Sequence, residues 1–227
     1  MSEYTYETHL HTAEVSKCGH SKAKEFVGFF KSLGYTGIFI TDHFNGNSHA
    51  ADIDCWEERI KLFCRGYENA AAEGDKMGLD VFFGWEYGSG GAHYLTYGLG
   101  KDWLLNNPDM LSWDTLEYLD RIHEAGGYIV HAHPFREGVE QVQLTPYKID
   151  AVEVLNANRP EESNQHAFDF AESFGLPKTA GSDIHSVSAE NLAVVVSDRR
   201  LTSGRDYMKA LIDGEVSLIE QGAVCAM

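Results

Sequence analysis

Apolar runs of strand length alternate along this chain with stretches whose apolar residues recur every three or four positions. The strand-like runs fall at 5–10, 37–41, 81–85, 93–98, 128–131, 151–155, 178–181 and 192–197. Between them the spacing predicts helices with recognisable ends. Ser21 caps one that carries Phe26, Phe29, Phe30 and Leu33 and closes at Gly34. From Trp56 onward Ile60, Phe63, Cys64, Tyr67 and Ala71 form a single apolar stripe. Ser112 caps a third helix with the stripe Trp113, Leu116, Leu119 and Ile122. A fourth starts near Pro160, runs through Ala167, Phe170, Ala171 and Phe174, and stops at Gly175 with Pro177 beyond. A fifth runs from about Asp206 to Ile212 and stops at Gly214.

Strands that alternate with helices predict a mainly parallel sheet with helical crossovers, and this many strands suit a barrel better than a small open sheet. One connection breaks the rule. Only six residues, 87–92, separate Glu86 from His93, and they are rich in glycine. They are too few for a helical crossover, so they predict a hairpin that holds Glu86 and His93 close together. No linker or shift in composition divides the chain, and 227 residues suit one α/β barrel, so residues 1–227 are expected to form a single domain.

A hydrophobic content of 43% with 12% aromatic residues excludes a disordered chain. The net charge of −17, with no run of basic residues, excludes an extended nucleic-acid surface, which needs clustered Lys and Arg. A small anionic substrate captured locally stays compatible with it. The start, Met1-Ser2-Glu3-Tyr4, has no basic leader region, and no apolar stretch is long enough to span a bilayer. Cys18, Cys55, Cys64 and Cys225 form no Cys-x-x-Cys pair. A reduced, cytoplasmic protein without membrane contact is expected; nothing in the pattern specifies an oligomeric state.

The chemistry lies where the strand-like runs end. His9-Leu10-His11, His131-Ala132-His133 and Asp183-Ile184-His185 each place two metal-ligand side chains two apart, and on a strand such residues face the same way. Asp42-His43 and Glu86 end two further runs. Eleven histidines in one chain bring a pair together readily by chance; five endings of the same kind, all after buried-strand patterns, are not reached that way. Convergent imidazoles and carboxylates are what a polynuclear metal site requires. The hairpin adds His93 as a candidate ligand beside Glu86.

The ordered set His9-Leu-His11-Thr12, Ile40-Thr41-Asp42-His43, Gly84-Trp85-Glu86, Ala92-His93-Tyr-Leu, His133-Pro134 and Gly181-Ser-Asp183-Ile-His185 resembles the polymerase and histidinol phosphatase (PHP) superfamily over most of the chain. The resemblance implies a distorted (β/α)7 barrel with a trinuclear site at the C-terminal ends of its strands. His9, His11, Glu86 and Asp183 would hold one ion, and Glu86 would bridge to a second held by His93 and His133. A third would take His43 and His185 with one ligand from the loop after His11. There the chain departs from the family pattern of a His or Asp five or six positions on, because those positions are Ser16 and Lys17. Glu14 is the first candidate for that ligand, with Cys18 and His20 as alternatives.

Two or three divalent ions sharing a carboxylate lower the pKa of a bridging water and neutralise charge on a phosphoryl oxygen, so a metal-bridging hydroxide would attack a phosphoester. Zinc, manganese and iron all suit mixed imidazole and carboxylate ligands. The expected function is metal-dependent hydrolysis of a phosphoester in a small metabolite or nucleotide. No phosphate-cradling Gly-x-x-x-x-Gly-Lys loop or Ser-His-Asp motif competes. Glu86, Asp183, His131 and Arg136 are the residues assigned to the chemistry. His131 is either a general acid or a partner that orients a ligand, and Arg136 offers a planar fork for phosphate. Arg159 has a similar claim, and Asp42 is placed to steady an imidazole. Two alternatives are amidohydrolase-like cleavage of a non-phosphate bond and a metal-binding regulatory module without turnover.

Overall fold

The computed structural model describes residues 3–138, 142–187 and 191–221; Cys225 lies outside them. The strands are β1 (Tyr4–Glu7), β2 (Gly37–Ile40), β3 (Asp80–Ser89), β4 (Ala92–Tyr97), β5 (Tyr128–Ala132), β6 (Ala151–Asn156), β7 (Lys178–Gly181), β8 (Leu192–Ser197) and β9 (Val216–Gln221). The helices are α1 (Ala23–Ser32), α2 (Trp56–Phe63), α3 (Arg65–Met77), α4 (Lys101–Leu105), α5 (Thr115–Glu124), α6 (Glu161–Phe174) and α7 (Gly204–Ile212). The strands form one mixed sheet in the order β7-β6-β5-β4-β3-β2-β1-β8-β9, and β7 comes back against β8, so the sheet is a nearly closed barrel.

All eight strands expected from the sequence are present. The sheet is less parallel than expected: four neighbouring pairs are parallel and four antiparallel. The reason is the hairpin, which reverses β4 between β3 and β5, and the reversal of β8, which lies antiparallel to both β1 and β9. The hairpin turns through Gly90 and Gly91, both at positive φ (60° and 85°), the conformation that a two-residue turn of this kind demands. Strand β9 and the short helix α4 have no clear counterpart in the hydrophobic pattern.

The stripe that starts at Trp56 is two helices and not one. The chain bends at Cys64, and just beyond it Gly66 packs so closely on the loop after β1 that a Cβ would lie 2.4 Å from Thr12 Oγ1 and 2.5 Å from Asp42 Oδ2. Helix α5 is capped by Asp114, whose Oδ1 accepts from Glu117 N at 2.9 Å, so it starts later than a Ser112 cap predicts. Between the sheet and helices α2, α4 and α5 lies an aromatic core that includes Trp85, Tyr94, Tyr118 and Phe44, each fully buried. Trp85 Nε1 donates to Tyr118 Oη at 2.8 Å, so the indole is satisfied as well as buried. Each such side chain contributes roughly 1.5–3 kcal/mol by leaving water, which holds the helices firmly on the sheet face opposite Glu86 and His93. Among the described residues no helix is long and apolar enough to cross a membrane.

Candidate metal centre

Strands β1, β2, β3 and β7 run in one direction and deliver His9 and His11, His43, Glu86, and Asp183 and His185 to one end of the barrel. Isolated bridges tie these extensions together, Leu10 to Ile184 and His43 to Glu86. Because β4 is reversed, its first residues lie at that same end, which places His93 opposite Gly88 and beside Ala132 on β5, next to His133.

Glu86 is fully buried at the centre, and its two oxygens face different imidazoles. Oε1 lies 2.5 Å from His93 Nδ1 and 3.2 Å from His133 Nε2. Oε2 lies 2.7 Å from His43 Nδ1, 3.4 Å from His11 Nε2 and 3.8 Å from His9 Nε2, yet has no partner in hydrogen-bonding geometry. Asp183 Oδ1 faces His11 Nε2 at 3.2 Å and His9 Nε2 at 3.6 Å. Its Oδ2 accepts from Arg159 at 2.9 Å. Ligand atoms within 4.8 Å of one another form the groups His9-His11-Asp183, His43-Glu86-His93, His11-His43-His185 and His9-His133-Glu153.

Tautomers follow from the outer contacts. His9 Nδ1 lies 2.8 Å from Glu153 Oε1 and donates to it, so its Nε2 lone pair points inward, 3.1 Å from His11 Nε2. His185 Nδ1 likewise donates to the Asp183 carbonyl at 2.7 Å. Two inward ring nitrogens 3.1 Å apart, and a buried carboxylate oxygen with no hydrogen-bond donor, are what a shared cation satisfies. The donor set therefore fits divalent metals. The electrostatics agree: burial opposes charge on His9 and His43, but Glu153 and Asp183 raise the former well above its ordinary value and Glu86 raises the latter to about 10. Burial raises Glu86 and Asp183 in turn, yet the surrounding imidazoles hold both carboxylates well below their ordinary range. Burial holds His11 well below its ordinary value and lowers His93, so the cluster divides into imidazoles that take a proton and imidazoles that offer a lone pair, and a cation can be shared among the latter and the carboxylates.

Strain marks the same residues. His133 and Asp183 both adopt positive φ, 29° and 51°, a conformation costly for any side chain and found at sites where geometry outweighs stability. Gly181 is the close approach on β7, where a Cβ would lie 2.5 Å from both Glu153 Oε1 and His9 Cβ. Gly181→Ala is therefore expected to push apart the His9–Glu153 pair and destabilise the fold by about 1–3 kcal/mol. Denaturant unfolding together with metal content checks it, since loss of metal should accompany the loss of stability.

Of the expected ligands, His9, His11, His43, Glu86, His93, His133, Asp183 and His185 are brought together. Glu14 is not. Its Oε2 accepts from Ala23 N at 3.0 Å and its Oε1 from Asn69 at 3.3 Å, so it caps the start of α1. His20 is exposed, and its neighbourhood is set by its backbone bond to the His185 carbonyl. Ser16 supports the ligands: its Oγ donates to Asp42 Oδ1 at 2.7 Å and accepts from His43 N at 3.1 Å. Asp42 accepts in addition from Thr12 N and Thr12 Oγ1, at 2.6 and 2.7 Å, and so fixes the loop that carries His11. Cys18 reaches His43 and His185; its burial works against the thiolate, but these contacts bring the thiol down to about 6.

His131 is buried against the Tyr94 ring with Nδ1 unpartnered, and burial pushes it down to about 3. It is an uncharged ring at neutral pH. Arg136 sits half-buried on the turn after His133, its N donating to the His133 carbonyl at 3.0 Å and its Nε without a hydrogen bond. With His93, His131 and His133 it lines a small cleft. Glu153 was missed by the sequence reading. Its Oε2 accepts from His133 N at 3.0 Å and Asn156 Nδ2 at 2.8 Å, so one carboxylate orients two of the candidate ligands. The signal was a lone acid inside the apolar run 151–155.

The comparisons bear on this geometry. A family profile described as PHP-associated matches residues 161–216, the part holding α6, β7, β8 and α7. A two-domain protein from Bacteroides vulgatus containing a predicted PHP-like metal-dependent phosphoesterase superposes with a TM-score of 0.73 at 15% identity. The match covers 96% of this chain and 65% of that one. The profile match covers 56 of the 227 residues, and the superposition shows a PHP-like fold. A PHP-like barrel is likewise seen by comparison with a candidate metal-dependent phosphoesterase from Bifidobacterium adolescentis, at TM-score 0.61 and 16% identity over 93% of this chain and 96% of that one. PsfC from Pseudomonas syringae gives 0.63 and 16% over 96% and 92%. At these identities the likeness is one of fold. Among proteins of curated function none matches the sequence.

Proposed function

We propose that residues 1–227 form one metal-dependent phosphoesterase domain acting on a small phosphorylated metabolite or nucleotide. The observation that carries this reading is the division of Glu86 between two sets of imidazoles, His93 and His133 on Oε1 and His43, His11 and His9 on Oε2. His9, His11 and Asp183 with Glu86 would hold one divalent ion, Glu86 with His93 and His133 a second, and His43 with His185 a third. Zinc, manganese or iron would supply charge neutralisation on a phosphoryl group and activation of water.

The chain's own residues provide the rest. Glu153 fixes the His9 tautomer and the His133 backbone, so the ligands are held before substrate arrives. Arg159 holds one oxygen of Asp183 and leaves the other for the cluster. Arg136 lines the cleft, its Nε ion-paired with Glu137 at 3.4 Å, and is placed to exchange that partner for a phosphate held by charge-assisted hydrogen bonds. His131, neutral in that cleft, serves as a hydrogen-bonding wall and not as the proton donor to a leaving group.

Arg136→Ala is expected to raise KM with little change in kcat, by the roughly 1.5–3 kcal/mol of a charged hydrogen bond. Metal content should stay intact; a loss confined to kcat would move Arg136 into stabilisation of the transition state. The function itself is tested by assaying metal-loaded protein against phosphomonoesters, phosphodiesters and amides. Turnover of a phosphoester supports it. Cleavage of amides alone would favour an amidohydrolase-like reaction, and full loading without any turnover a regulatory module.

A further inference from the structure

Glu7 is a fully buried carboxylate that the metal positions proposed above do not use. It ends β1 at the seam where β1, β7 and β8 meet. Below it β1 pairs with β8, from Tyr4 opposite Ser197 to Tyr6 opposite Val195. Above it the chain bonds instead to the extension of β7: Ile184 N donates to the His9 carbonyl at 3.2 Å, and His11 N to the Ile184 carbonyl at 2.9 Å. Glu7 spans this change of partner. Its Oε1 accepts from His9 N at 2.8 Å and from Ser182 N at 3.0 Å, and its Oε2 accepts from Ser182 Oγ. Ser182 Oγ in turn accepts from Ala193 N on β8 at 3.0 Å.

Resting on the metal-site reading above, we infer that Glu7 is a positioning residue, which holds Asp183 at the spacing from His9 and His11 that their shared ion requires. Both ends of this clasp adjoin the ligands. His9 is held by its own N–H, and Ser182 precedes Asp183, whose φ of 51° is costly and persists only where the surroundings fix it. Asp183 Oδ1 stands 3.2 Å from His11 Nε2 and 3.6 Å from His9 Nε2. Metal–ligand distances tolerate only about 0.2 Å, so a small slip of the β7 extension along β1 takes Asp183 out of range. Without the carboxylate, the N–H groups of His9 and Ser182 lose their acceptor in a buried place, which favours such a slip. The clasp works through geometry and not through charge. The Ser182 hydroxyl lies 3.3 Å from the Ala193 carbonyl, so its proton can turn there and leave the oxygen to accept from an amide. Glu7→Gln therefore keeps the clasp, with Oε1 accepting from both N–H groups and Nε2 donating to Ser182 Oγ.

Zinc titration of the chelator-treated full chain tests this, read as ions bound per chain and their affinity. Glu7→Ala, with an unchanged circular dichroism spectrum, should bind about one ion per chain more weakly, by about tenfold to a hundredfold, the range for losing a group that orients a ligand. Glu7→Gln should bind every ion as the wild type does. Ser182→Ala removes the hydroxyl but no backbone bond, and should weaken the same ion to a smaller extent. Wild-type zinc binding by folded Glu7→Ala, or a loss in Glu7→Gln as large as in Glu7→Ala, would overturn the positioning role and leave the metal site standing. If Glu7→Ala does not fold, Ser182→Ala decides: a weakened ion upholds the role, and wild-type affinity overturns it. Wild-type protein that binds no zinc would overturn both readings.

Discussion

Glu86→Gln should reduce phosphoester hydrolysis by about a hundredfold or more, the range seen when one group that stabilises transition-state charge is removed from a water-excluded site. The change keeps the volume but leaves one acceptor oxygen and one N–H₂ where two oxygens now face separate imidazole sets. One set then meets a donor, and the charge that lets two cations sit close together is gone. The fold should survive, because the surrounding barrel and aromatic core do not depend on that charge. Elemental analysis and circular dichroism of the variant, run beside kinetics, separate the effects: reduced metal content with an unchanged spectrum is expected. Near-wild-type turnover at saturating metal would show that Glu86 does not bridge.

Removing the metals should cost stability as well as activity. A cation bound only by the folded state stabilises it by about 4 kcal/mol when free metal exceeds the dissociation constant a thousandfold, which for a chain of this size moves Tm by roughly 8–16 °C. Calorimetry before and after dialysis against a chelator is the check, with zinc, manganese and ferrous iron added back in turn. The dependence on pH has a definite sign. His43 is raised to about 10 and His9 well above its ordinary value in the ion-free cluster, so loading must displace protons from both. Acidification therefore weakens loading, and the gain in Tm from added metal should shrink as pH falls. A Tm indifferent to metal at neutral pH would contradict tight loading of the folded state.

Much of the site could be read from the chain because period-two spacing on a strand survives any change in how the strands are joined. His9 and His11, and the ligands Glu86 and Asp183 at other strand ends, needed only the strand assignment to converge. The hairpin was legible from Gly90 and Gly91, and it places His93 beside Glu86 as the spacing predicts. What the pattern could not show were contacts made by loops. Glu14 is nearer His11 in sequence than Cys18, but its carboxylate finds the free N–H groups at the start of α1, a tertiary competition that spacing does not reveal. The turn after Ser16 folds back onto the strand end because Gly19 packs on Thr12, a requirement that spacing does not reveal. The break between α2 and α3 has a similar origin in Gly66, because an unbroken apolar stripe carries no mark of the close approach to Thr12 and Asp42. Glu153 was legible in principle, since a lone acid in a buried strand must have a partner, and its partners are His9 and the His133 backbone.

The metal content of protein purified without chelator tests the central claim most directly. Elemental analysis should find about three divalent transition ions per chain, or a deficit that added manganese, zinc or ferrous iron makes good. A content well below two per chain that none of these ions restores would show that the converging imidazoles and carboxylates at the barrel end are not a polynuclear metal site.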